Sequence, residues 1–105
     1  MNALQATVNR ATKLAYQEDA DMIVGRIEGT WVIADREDIG RLTQMIRPMF
    51  IVHSWGLDAA DVMASMEEAG IDGDQDLENG TTTYRLDDAT LIVNDASFLF
   101  GEEDA

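Results

Sequence analysis

Apolar residues recur with helical spacing over residues 3–16. Leu4, Val8, Ala11 and Ala15 fall on one face with Leu14 beside them, the repeat of an amphipathic helix. Asn2 stands where an N-cap belongs. The acidic cluster Glu18-Asp19-Ala20-Asp21 then breaks the pattern. Residues 22–34, MIVGRIEGTWVIA, are rich in β-branched and aromatic side chains and are split by Glu28-Gly29, which predicts a β-hairpin. From Asp35 the pattern turns helical again. Asp38 follows three residues later in the manner of a capping box, and acids in a first turn complement the helix dipole. Ile39, Leu42, Ile46 and Met49 carry the apolar face onward, with Pro48 expected to kink or divide the helix. The run Met49-Phe50-Ile51-Val52 is apolar all round and reads as the most buried piece; Gly56 ends the segment.

The next helix has the clearest boundaries in the chain. Asp58 is the expected N-cap, with Asp61 the matching acid and Leu57 and Val62 placed as a hydrophobic staple. Ala59, Val62, Met63 and Met66 form the expected buried stripe. Gly70 sits at the left-handed terminator position, from which Ile71 reaches back to Met66 in a Schellman arrangement. Residues 71–80, IDGDQDLENG, read as a polar loop. Residues 81–101 then read as a three-stranded meander. Thr82, Tyr84 and Leu86 alternate with polar neighbours, Asp87-Asp88 and Asn94-Asp95 form the turns, and Leu91, Val93, Phe98 and Phe100 face a core. Residues 102–105 read as a frayed tail. The expected fold is a single α+β domain over residues 1–105, an N-terminal hairpin and C-terminal meander forming antiparallel sheet packed with about three helices.

Charge says more about partners than composition does. At 105 residues and 46 % apolar the chain is a one-domain globular protein, not an acidic disordered tail. Its net charge is −14, unevenly distributed. Residues 1–56 carry six basic and seven acidic side chains; residues 57–105 carry only Arg85 against fourteen acids, a net of −13. Halophilic adaptation would acidify both halves alike, and solubility is satisfied by a net charge of about 2–8. So negative a field repels nucleic acid and anionic membrane, so neither is an expected direct partner. With no apolar run of about 20 residues and no secretory signal pattern, the expected location is cytoplasmic.

Candidate chemistry is sparse. The absence of cysteine removes disulfides, thiolate metal sites and Cys nucleophiles. The acids of residues 72–80 invite a calcium reading, but the EF-hand pattern fails in both frames. From Asp72 the sixth and twelfth positions are Leu77 and Thr83; from Asp74 they are Asn79 and Arg85. His53, the single histidine, lies in the apolar string IVHSW and reads as a hydrogen-bonded core or interface residue. No nucleophile elbow, P-loop or dinucleotide fingerprint is present. The expectation is a non-enzymatic protein with no catalytic residues, cofactor or metal. Trp55, beside Gly56, is the aromatic most suited to an interface, and Arg36, Arg41 and Arg47 form a mildly basic patch that either meets a partner or balances local acids.

A concentrated acidic face suits a strongly basic partner, met through steered, salt-sensitive encounters. The expected contact residues are Asp72, Asp74, Asp76 and Glu78 on the loop, with Asp87, Asp88 and Asp95 at the turns. They would pair with Arg and Lys of a nucleic-acid channel as phosphates do. The short, acidic, cysteine-free chain with its acid-laden stretch TTTYRLDDATLIVNDASFLF resembles small phage-encoded inhibitors of bacterial defence, among them anti-CRISPR proteins and anti-restriction DNA mimics. The resemblance is one of overall character, with no motif to align. It implies non-catalytic binding to a CRISPR effector complex or restriction enzyme in the host cytoplasm. Two other expectations compete: an acidic assembly or secretion chaperone, a homodimer that binds through an apolar groove, and a small enzyme or metal domain centred on residues 72–80.

Overall fold

A computed structural model describes residues 3–86 and 89–94. Asn2, Phe98, Phe100 and the expected last strand and tail lie outside the described residues. The chain runs α1 (Ala3–Glu18), β1 (Met22–Ile27), β2 (Thr30–Asp35), α2 (Ile39–Gln44), β3 (Ile46–His53), β4 (Gly56–Leu57), α3 (Ala59–Glu68), β5 (Gly73–Asp76), β6 (Thr81–Arg85) and β7 (Thr90–Asn94). The fold is α+β, with its strands in two antiparallel sheets, β2-β1-β3-β4 and β5-β6-β7.

The expected first helix and hairpin form where their patterns put them. Leu4, Val8, Ala11 and Ala15 are the buried stripe of α1, and Glu28-Gly29 is the two-residue turn between β1 and β2, closed by the pair Ile27↔Thr30. Helix α3 ends as its sequence requires. The amides of Gly70 and Ile71 donate to the carbonyls of Glu67 and Met66, at 3.0 and 2.9 Å, with Gly70 at φ 75°. That is the Schellman pair of bonds, and its left-handed residue is glycine because a Cβ there is strained. Asp58 caps the other end, accepting from the Ala60 amide.

Two segments depart from expectation. The helix expected from Asp35 is short: Asp38, not Asp35, is its N-cap, and α2 ends at Gln44. Residues 46–53 are instead the long strand β3. Pro48, Phe50 and Val52 are buried while Arg47 and Ile51 are exposed, the two-residue alternation of a strand with one face in the core. The spacing of Ile46 and Met49 imitates a helix over a single turn only. Pairing with β1 decides the matter, through Met22↔Val52, Ile23↔Ile51 and Val24↔Phe50. Pro48 falls where the ladder shifts register between Val24 and Arg26, a position that asks for no backbone donor.

The second departure lies in residues 71–80. Residues 73–76 form β5, paired with β6 through Gly73↔Tyr84 to Asp76↔Thr81. The C-terminal meander is therefore β5-β6-β7. One core joins the sheets: Leu4, Val8, Val24, Phe50, Val52, Val62, Met66, Tyr84, Leu91 and Val93 belong to the same buried cluster. Helix α1 crosses β1, β2 and β3 and also reaches β7, while α3 packs on β3.

Candidate functional site

The acidic half of the chain is displayed on α3 and the β5–β6 hairpin. In β5 alternate side chains point to opposite faces. Gly73 and Gln75 share the inner face with Thr82 and Tyr84, because the register pairs 73 with 84 and 75 with 82. Asp74 and Asp76 point outward, opposite Thr83 and Thr81. Every residue of β5 is exposed, and so are Asp72 before it and Glu78 after it. Among the described residues β5 has a strand on one side only.

These acids are not equivalent. Asp74 is ion-paired with Arg85 across the hairpin, both side chains largely solvent-exposed, so the one base of this half offsets one acid of the row. Asp76 organises the turn. Its carboxylate accepts the amides of Glu78 and Asn79 at 3.1 and 3.2 Å and the Asn79 side-chain amide at 2.6 Å, while the Gly80 amide donates to its carbonyl at 2.8 Å. The Asn79 side-chain bond, and then the backbone bonds, hold the Asp76 carboxyl below the usual carboxylate range, because they stabilise its ionised form. Leu77 protrudes at the tip of this turn, 83 % exposed. Asp87, Asp88 and Asp95, expected to extend the acidic face, lie outside the described residues. Among the described residues no three potential ligands gather to hold a metal ion; a strand holds the acids of residues 72–76 apart rather than wrapping them.

Between α3 and the inner face of β5–β6 lies a half-open groove of about 620 Å³. One wall is Ala59, Ala60, Met63 and Glu67 of α3. The other is Gly73, Gln75, Thr82 and Tyr84, with Ile71 and Asp72 at one end. Met63, expected in the core, is 51 % exposed here, whereas Val62 and Met66 are buried as expected. Residue 73 is glycine because the side chains of Tyr84 and Thr82 take the space a Cβ would fill. An ideal Cβ built there would stand 2.6 Å from Tyr84 Cε1 and 2.7 Å from Thr82 Cγ2, so the Tyr84 ring closes directly over the Gly73 backbone. Both charged residues lining the groove, Glu67 and Asp72, are acidic.

The remaining candidates have structural partners. His53 Nδ1 lies 3.0 Å from Asp21 Oδ1, and its ring stacks on Trp55 with centroids 4.8 Å apart. This ties the end of β3 to the residue preceding β1. Trp55 is exposed, as expected of an interface aromatic. Two residues of the basic patch balance local groups. Arg41 sits 3.6 Å from Asp38 and donates to the Ile33 carbonyl at 2.8 Å, and Arg47 lies 3.8 Å from Glu68. Among the described residues no helix is long and apolar enough to cross a membrane. Compared with protein-family models, curated proteins and solved structures, the chain finds no match in any of the three. Sequence pattern missed Met63 as an exposed apolar group, because helical spacing places it in one stripe with Ala59, Val62 and Met66.

Proposed function

We propose that this chain is a non-catalytic binding module that engages a basic protein surface through the acidic edge of its C-terminal sheet. The observation that carries the reading is the exposure of every residue from Asp72 to Glu78, along and beside a strand that among the described residues is paired on one side only, in a half of the chain with a single base. Acids at every second residue of a strand recur each ~6.8 Å. One DNA strand carries a phosphate each ~3.4 Å of axis. Asp74 and Asp76 thus recur at about half the linear charge density of one strand before Arg85 is subtracted, and Asp72, Glu67 and Glu78 broaden the row. Such a face meets Arg and Lys residues that otherwise bind phosphates. The nucleic-acid-contacting surface of a bacterial defence complex, a CRISPR effector or restriction enzyme, is the target class that the resemblance implies, with inhibition by occupancy of that surface. The turn supports this reading, because three hydrogen bonds from Glu78 and Asn79 hold the Asp76 carboxylate in place.

The test is affinity capture from a bacterial lysate, followed by titration of the captured complex with salt. Binding should weaken steeply with ionic strength, and neutralising the contacting acids should flatten that dependence. Asp72, Asp74 and Asp76 changed together to Asn should abolish capture, and cognate nucleic acid should compete. Capture that survives this variant and the matching change at Asp87, Asp88 and Asp95 refutes the reading.

A further inference from the structure

We infer that the groove between α3 and β5–β6 receives an apolar side chain from a basic, extended segment of the partner, so that the acidic edge and the groove form one recognition surface. The inference rests on the acidic-edge reading and adds a specificity pocket to it. Three observations converge. The groove's lining includes the apolar groups Ala60, Met63, Ile71 and the Tyr84 ring, and Met63 is half exposed within it. Its charged lining is Glu67 and Asp72 alone, both acidic, so a segment seated there gains from carrying Lys or Arg on either side of its apolar residue. It is bordered by β5, a strand that among the described residues is paired on one side only, the template on which an extended peptide adds backbone hydrogen bonds.

Charge selects among occupants. A second copy of this chain pairing β5 antiparallel against β5 about Gln75 would set Asp74 of each copy opposite Asp76 of the other, and like charges directly opposite are destabilising. Nucleic acid is repelled by the same row. A neutral small molecule finds no buried charged group among the lining residues to fix its orientation, in contrast to the usual ligand pocket. A basic peptide with one apolar anchor satisfies both the rim and the floor.

The experiment uses two fluorescein-labelled peptides, rich in Lys and Arg and identical except for a central Leu or Ser, titrated against the full chain by anisotropy at low salt. The Leu peptide should bind about tenfold tighter, as burial of a side chain of that size allows. Met63→Ala, a change at a half-exposed site that leaves the core untouched, should reduce the difference to less than about threefold while both peptides keep their salt dependence. Equal binding of the two peptides, salt-sensitive in both cases, overturns the groove and leaves the acidic edge standing. Absence of binding by either peptide overturns the acidic-edge reading itself. A dimer in sedimentation that Met63→Ala dissociates overturns the inference by assigning the groove to a second copy.

Discussion

Replacing Gly73 by Ala probes the join between the groove and the core. A Cβ on Gly73 meets Tyr84 Cε1 at 2.6 Å, Thr82 Cγ2 at 2.7 Å and Tyr84 Cδ1 at 3.1 Å, all closer than unstrained carbons approach. Thr82 is half-buried and can turn about χ1. Tyr84 cannot yield so easily: it is 4 % exposed and belongs to the same buried cluster as Leu91 and Val93, so moving its ring disturbs the packing of β7. Forcing a methyl into a packed site costs about 1–3 kcal/mol, and replacing a strand glycine by alanine returns about 0.5–1 kcal/mol of backbone entropy. The net expectation is a loss centred on about 1 kcal/mol, with Tm lower by about 4–8 °C for each kcal/mol. Thermal and urea unfolding, followed by circular dichroism and tryptophan fluorescence, measure it. The same substitution in a Tyr84→Leu background should cost less, because the ring is gone, and the difference is the coupling energy of the pair. A Gly73→Ala variant as stable as the parent, or equal costs in the two backgrounds, would falsify the claim that the ring closes on residue 73.

Three further outcomes are expected. Glu28 and Gly29 both have positive φ, 50° and 82°, as a type I′ hairpin turn requires, so Glu28→Asn should stabilise by about 0.5–1 kcal/mol, measured by urea midpoint. Phe50 is 1 % exposed and stacks on Trp31 at 6.2 Å; Phe50→Ala should cost about 3–5 kcal/mol and alter Trp31 emission before any melting. The lowered Asp76 carboxyl stabilises the turn fully above the ordinary carboxylate range, and that contribution fades as pH falls through its own depressed value. Carboxyl NMR titration should show Asp76 protonating below the ordinary carboxylate range, and Asn79→Ala should move its titration upward. An unmoved titration in that variant contradicts the assigned cause.

The chain's local signals were sufficient wherever an element is specified by its own residues. The caps Asp58 and Gly70, the stripe of Leu4, Val8, Ala11 and Ala15, and the turn at Glu28-Gly29 act over a few residues, and the structure follows them. The acidic row was equally legible, since charge is a property of composition and Asp72, Asp74, Asp76 and Glu78 could only lie on the surface in the absence of enough bases to neutralise them. What the sequence did not determine depends on partners distant along the chain. Residues 46–53 carry apolar positions compatible with a helical turn and with a strand; the free edge of β1 selects the strand, with Val24 facing Phe50. The tetrapeptide Gly73-Asp74-Gln75-Asp76 has no apolar alternation at all, and is a strand because β6 supplies hydrogen-bond partners and Tyr84 covers the glycine. Met63 fits the helical stripe of α3, yet the sheet it would meet stands off by the width of the groove, which leaves it half exposed. Residue order places the charge and specifies which short segments cap themselves. Tertiary structure alone decided which edge displays that charge and that an apolar groove lies beside it, because strand pairing and the spacing between elements arise from contacts no local window contains.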